Sequence, residues 1–167
     1  LAVAPSKPSI VWAGTGEAWA IRDADLMGDG IYKSIDSGTT WTNMGLRETG
    51  RVQRILVHPT NPNIVFAAGQ FNYGIGSGGI FRSDDGGQTW KNLGWDQHPD
   101  FHAFAYQAND TSHIAIGNDG GVWESHTGGG RNVAGSPLST ADWQDLNGTV
   151  NPTTGALVHS TGLAITQ

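Results

Sequence analysis

The chain has 167 residues, no cysteine and a formal net charge of −6 at pH 7. Without cysteine there is no disulfide scaffold, thiolate zinc site or thiol nucleophile. Without a cluster of Lys and Arg, neither nucleic acid nor an anionic membrane surface is an expected partner, and no apolar run reaches the ~18 residues of a membrane-crossing helix.

The first unit opens with Pro8-Ser9-Ile10-Val11-Trp12-Ala13-Gly14, an apolar strand. Residues 17–29 form a polar loop, and Gly30-Ile31-Tyr32-Lys33 is the next strand. It runs into Ser34-Ile35-Asp36-Ser37-Gly38-Thr39-Thr40-Trp41 and out through Thr42-Asn43-Met44-Gly45-Leu46. The second unit repeats this order. Arg51 to Val57 is a strand, and the composition of residues 58–63 suits only a turn. Ile64 to Ala68 is a continuous apolar run, as in a strand covered on both faces. Gly79 to Ser83 leads into Ser83-Asp84-Asp85-Gly86-Gly87-Gln88-Thr89-Trp90, and Trp90 to Leu93 closes the unit. A third copy keeps Ser112-His113-Ile114-Ala115-Ile116-Gly117 and Gly121-Val122-Trp123-Glu124-Ser125. Thr127 stands in place of Asp, and Trp143 is displaced by a Gly- and Ser-rich insertion over about 128–140.

The two intact motifs read S-x-D-x-G-x-x-W. Their serines are 49 positions apart, and Ser125 follows Ser83 by 42, the period of propeller or solenoid repeats. An Asp-Gly turn closes a hairpin, the Ser and Asp side chains bond its backbone, and the Trp folds back on it. No segment holds a 3.6-residue period. Four short antiparallel strands per unit predict an all-β chain: a partial β-propeller of about three four-stranded blades from a larger, six- to eight-bladed ring. The expected blades span about 1–50, 51–100 and 101–150 of one domain over 1–167, with 151–167 starting a further blade. Three blades do not close a ring, so further blades from the same or another chain are expected partners. The lack of an initial Met and the end in mid-pattern fit a segment of a longer protein.

The motifs resemble Asp boxes, or BNR repeats, over about residues 10–143. The phrasing of Ala13-Gly14-Thr15-Gly16-Glu17, residues 28–34, Val57-His58-Pro59-Thr60-Asn61-Pro62 and residues 117–122 is most similar to secreted sortilin-like and glycoside hydrolase family 74-like propellers. That resemblance implies an extracellular or cell-surface location. It also implies structural roles, at the outer edge of the blades, for Ser34, Asp36, Gly38, Trp41, Ser83, Asp85, Gly87, Trp90 and Trp143.

Candidate chemistry lies on other loops. A glycosidase needs two carboxyl groups ~5–5.5 Å apart for retention or ~6.5–9.5 Å for inversion. Glu17, Asp29 and Asp119 are the candidates. Asp119 resembles the Gly-Asp-x-Gly-Gly setting of a family 74 catalytic Asp, but its own residues read as an Asn-Asp-Gly turn. Asp23, Asp25 and Asp29 offer an irregular calcium site. An EF-hand fails because Met27 occupies a position that needs an oxygen donor. No other metal or cofactor is expected. His98, Asp100 and His102 are close in sequence and read as a lead-in loop, with the two histidines near the axis as ligand contacts. Trp19, Phe71 and Tyr73 supply flat faces on which a sugar ring stacks. The leading expectation is a non-catalytic scaffold, secreted or surface-exposed, that binds a glycan or protein through its loop face. The alternative is a xyloglucan-degrading hydrolase whose carboxylates lie partly outside this segment.

Overall fold

A computed structural model describes residues 1–16, 27–70, 78–94, 101–118, 121–129, 143–146, 149–150, 153–154 and 157–158. Three four-stranded antiparallel sheets follow one another along the chain. The first contains Ala2–Val3 (β1), Val11–Gly14 (β2), Ile31–Ser34 (β3) and Thr42–Asn43 (β4). After a 3-10 turn at Arg47–Thr49, the second contains Arg51–Val57 (β5), Val65–Gln70 (β6), Gly79–Ser83 (β7) and Lys91–Gly94 (β8). The third contains Phe101–Gln107 (β9), Asp110–Asn118 (β10), Gly121–Ser125 (β11) and Gln144–Asp145 (β12). A two-stranded piece, Thr149–Val150 (β13) with Leu157–Val158 (β14), comes last. There is no α-helix among the described residues, and no described helix is long and apolar enough to cross a membrane.

The apolar run in the second unit becomes β6, and its alternation feeds two cores. Val65 and Ala67 join Trp12, Ile31 and Phe81 between the first two sheets. Phe66 and Ala68 join Ile114, Ile116 and Trp123 between the second and third. Successive side chains of a strand point to opposite faces, so one strand glues both neighbours. Full burial of each large apolar side chain contributes about 1.5–3 kcal/mol. β6 extends two residues past the predicted Ala68, because Arg51 pairs with Gln70 at the start of β5.

The first strands of the sheets lie side by side. β5 packs against β1 and β2, and β9 against β5 and β6. Val52 N–H donates to the Thr15 carbonyl at 3.0 Å, and Phe101 N–H donates to Gln53 Oε1 at 3.0 Å. Arg54 Nε donates to the His102 carbonyl at 2.6 Å. Sheets that fan from neighbouring first strands make this an all-β partial β-propeller.

The turn after the third strand has one geometry in all three sheets. Ser34 Oγ accepts from Asp36 N at 3.3 Å and Gly38 N at 2.7 Å. Ser83 Oγ accepts from Asp85 N at 3.3 Å and Gly87 N at 2.8 Å. Ser125 Oγ accepts from Thr127 N at 3.3 Å and Gly129 N at 3.1 Å. The middle residue is left-handed each time (Ser37 φ 61, Gly86 φ 72, Gly128 φ 69). Its N–H donates to Ser9, Asn63 or Ser112 O, at 2.9, 2.9 and 2.7 Å respectively. In the first two turns the acid adds a second clasp. Asp36 accepts from Ser34 Oγ, Thr40 N and Thr40 Oγ1, and Asp85 from Ser83 Oγ, Thr89 N and Thr89 Oγ1. The bonds from Thr40 and then Ser34 lower the Asp36 pKa to about 2.

The second and third turns are also fastened to the sheet that precedes each of them. Lys33 Nζ donates to the Gly86 carbonyl at 2.9 Å, and Arg82 Nη1 donates to the Gly128 carbonyl at 2.9 Å. Each cation lies over an aromatic ring of its own sheet, Lys33 over Trp12 at 5.0 Å and Arg82 over Phe66 at 5.3 Å. Those rings are the seats for the turns: a Cβ on Gly87 would stand 2.5 Å from Trp12, and one on Gly129 2.7 Å from Phe66. The indoles divide differently from the expected folding-back. Trp41 Nε1 bonds its own turn at the Gly38 carbonyl (3.0 Å) and is 40% exposed. Trp90 Nε1 reaches across to the Met44 carbonyl of the first sheet at 2.7 Å and meets Trp12 edge-on. Trp143 is buried between the second and third sheets. No described sheet precedes Trp41, so its indole has only its own turn to cap.

Ser83→Ala is expected to lower unfolding free energy by about 1–3 kcal/mol, because Ser83 is 1% exposed and the Gly87 amide loses its buried acceptor. Urea denaturation measures this; a change under about 0.5 kcal/mol would mean that the hydroxyl is not what closes the turn.

Candidate functional site

A groove of about 470 Å³ opens between the second and third sheets. Its floor includes Phe66 and Tyr106, whose rings meet edge-on at 6.4 Å. Its polar wall is a charge row on β7, the following turn and β8. Arg82 Nη2 lies 2.8 Å from Asp84 Oδ1, and Lys91 Nζ lies 3.4 Å from Asp84 Oδ2. With two cations to one carboxylate the wall is a net donor surface, and Thr111, Ser112 and Thr127 add hydroxyls. The sheets hold these groups in place because Arg82 is at once groove wall and inter-sheet clasp.

His58, in the turn after β5, closes one side. Its Nδ1 accepts from Thr60 N at 3.2 Å and Asn61 N at 3.1 Å. That leaves Nε2 as the donor of a neutral ring. Burial first, and then the Arg82 charge, lower its pKa. The ring meets Tyr106 edge-on at 5.4 Å. Burial pushes the Tyr106 phenol well above its ordinary value, so it remains a hydroxyl donor at any physiological pH. The groove therefore offers neutral donors, two cations and the half-buried Tyr106 ring, while Phe66 beneath is covered by Arg82; this set suits hydroxyl-rich or carbonyl-bearing ligands.

This groove lies at the serine-turn end of the sheets. The loops between second and third strands, singled out from sequence, leave from the other end. Glu17, Trp19, Asp23, Asp25, Phe71, Tyr73, His98, Asp100 and Asp119 lie outside the described residues. The register brings Asn118 opposite Gly121, on either side of Asp119. Asp29 is described, and its carboxylate is engaged. Oδ2 accepts from Tyr32 Oη at 2.8 Å, and Arg47 Nε stands 3.4 Å from Oδ1. Asn43 Nδ2 donates to the Asp29 carbonyl at 2.8 Å. The side chain of His102 is exposed on β9, and its carbonyl accepts Arg54. The residues missed from sequence are His58, Arg82, Asp84, Lys91 and Tyr106. Only the recurrent cation before the motif serine (Lys33, Arg82) signalled any of them.

No protein-family profile and no curated protein matches the sequence. Among solved structures, the chain is similar to an ancestral GH74 enzyme, at 20% identity and a TM-score of 0.57, over 77% of this chain and 17% of that one. It is also similar to the GH74 xyloglucanase of Xanthomonas campestris, at 20% identity and a TM-score of 0.50, over 75% of this chain and 16% of that one. The chain thus spans about a sixth of the length of these enzymes. The likeness extends to the propeller fold.

The groove chemistry predicts a titration. The contribution of His58 to stability should be whole above its unfolded pKa of 6.5 and diminish as pH falls below it, because the folded ring resists protonation. Its ring resonances, followed by NMR, should show a midpoint below 6.5, and Arg82→Met should move that midpoint upward. A midpoint at or above 6.5 would contradict the half-buried, neutral ring.

Proposed function

We propose that the chain is part of an Asp-box β-propeller that works as a binding scaffold, secreted or exposed at a cell surface, and recognises a carbohydrate or protein partner. The observation that carries this reading is the groove between rigidly clasped sheets, with Phe66 and Tyr106 beneath and the Arg82–Asp84–Lys91 row beside it. The half-buried Tyr106 ring with adjacent fixed donors suits a sugar ring, which packs against the aromatic and bonds through its hydroxyls. From the sequence, Trp19, Phe71, Tyr73 and His98, together with the exposed His102, are assigned as further ligand contacts in this reading. The Asp-box acids favour a scaffold role, since Asp36 and Asp85 are committed to their own turns. Membership of the wider sortilin-like group is part of the same proposal. An irregular calcium site at Asp23, Asp25 and Asp29 would stiffen the first loop.

A second reading rests on the similarity to GH74 enzymes. In it the chain supplies part of a xyloglucan-degrading cleft, with Glu17, Asp29 or Asp119 as one of two carboxyl groups and the other outside this segment. The clamp on Asp29 by Tyr32 and Arg47 favours positioning over proton transfer at that residue.

Retention on immobilised xyloglucan and related glucans separates the readings. The scaffold predicts binding without release of reducing sugar, with Lys91→Ala or Tyr73→Ala weakening retention at least about tenfold at unchanged melting temperature. Reducing-sugar release abolished by Asp119→Ala would establish the hydrolase reading instead. Retention unchanged in both binding variants would remove the groove and the aromatic loop face as the binding surface.

A further inference from the structure

The inter-sheet clasp is built from two positions, an aromatic on the second strand and a cation just before the turn serine. They are Trp12 with Lys33 in the first sheet and Phe66 with Arg82 in the second. In the third sheet the pairing of β10 with β11 places Ala115 and Glu124 there. A methyl offers no seat for a turn, and a carboxylate cannot donate to a turn carbonyl. The outer face of the third sheet therefore lacks the clasp.

That face carries a different constellation. Ile114 pairs with Ser125 and Ala115 with Glu124. Alternation then puts His113, Glu124 and His126 together, on the face opposite Ile114, Ile116 and Trp123. His113 Nε2 lies 2.8 Å from Glu124 Oε2, and His126 Nε2 lies 3.2 Å from Glu124 Oε1. The imidazoles are 4.1 Å apart between centroids and tilted by 37°. The ligating atoms of all three side chains lie within 4.8 Å of one another. His113 and Glu124 are mostly buried (17% and 14% exposed), whereas His126 is 57% exposed.

We propose that His113, Glu124 and His126 form a binding site for one divalent transition-metal ion of the zinc type. Two imidazole nitrogens and a carboxylate oxygen make a borderline donor set that suits Zn²⁺, Ni²⁺ or Cu²⁺, whereas Ca²⁺ and Mg²⁺ want oxygen alone. Bonds of ~2.0–2.2 Å to a tetrahedral ion set donor atoms roughly 3.3 Å apart. The two Glu124 contacts, 2.8 and 3.2 Å to different carboxylate oxygens, and the 4.8 Å span of the three ligand atoms leave a closure of about 1.5 Å, which side-chain rotation can supply as an ion replaces the hydrogen bonds. Burial raises the Glu124 pKa, but the bonds from His113 and His126 outweigh it and the net shift is downward. The carboxylate is ready to ligate at neutral pH. Three protein ligands leave a fourth position open, and the exposure of His126 puts it on the solvent side. A bound ion would give this face a cross-link where the other two sheets use a cation, a ring and a turn.

Titration calorimetry with Zn²⁺ on the intact chain, in chelator-stripped buffer, tests the site. One ion per chain is expected. His126→Ala and Glu124→Gln should each weaken zinc binding at least about tenfold. The melting temperature of metal-free His126→Ala should match the parent, since His126 is largely exposed. Co²⁺ should give visible ligand-field bands that vanish in the same variants. His126→Ala alone decides the matter if Glu124→Gln fails to fold. Absence of zinc binding by the parent, or equal zinc affinity in the parent and His126→Ala, would overturn the proposal.

Discussion

A serine hydroxyl that closes a turn while almost wholly buried is the interaction on which the architecture depends. It holds two successive left-handed residues whose backbone would otherwise cost free energy and expose unpaired amides. Once held, the turn presents a carbonyl outward and a bare glycine face toward the preceding sheet. The carbonyl takes a cation and the glycine takes an aromatic ring. Local closure and tertiary docking are thus one event, repeated at Ser83 and Ser125. The third turn isolates the essential part. Thr127 replaces the acid, yet Ser125 still receives both amides and Gly129 still sits on Phe66. The acid strengthens the turn without defining it.

The same joint creates the groove between the second and third sheets. Arg82 lies across Phe66 to reach the Gly128 carbonyl through Nη1, and that pose places its Nε and Nη2 beside Asp84. Lys91, from the next strand, adds to the row, and His58 and Tyr106 close the far side. A surface made by a structural clasp is preorganised, which reduces the ordering cost of taking up a ligand. Where the joint residues change to Ala115 and Glu124, the chemistry of the face changes with them. Two histidines bracket the carboxylate there, in place of the ring and cation that hold the turns elsewhere.

Strand order, turn positions and the all-β architecture were legible because they rest on short-range signals: an eight-residue motif, alternation, and Gly and Pro between runs. The double-sided burial of β6 was likewise visible in Ile64 to Ala68. The destination of the indoles was not. Alternation tells which face a side chain takes but not which sheet it meets, so Trp90 read as a cap on its own turn and proved to bond Met44. The groove was hidden for a related reason. His58, Arg82, Lys91 and Tyr106 come from four different strands or turns, and no spacing connects them. The His113–Glu124–His126 cluster needs the β10–β11 register, since 113 and 126 are far apart along the chain. The aromatic loop residues proposed for binding lie outside the described residues, so their placement rests on sequence.

The claim that turn and clasp act as one unit is tested most directly by a double-mutant cycle across the second and third sheets. Arg82→Met removes the donor to the Gly128 carbonyl, and Ser125→Ala removes the hydroxyl that shapes that turn. Urea unfolding of the parent, both single variants and the pair should give a coupling of about 0.5–1.5 kcal/mol, with the pair less destabilised than the sum. Additivity within about 0.3 kcal/mol would show that the turn and the cation stabilise the sheets independently, and would contradict the account.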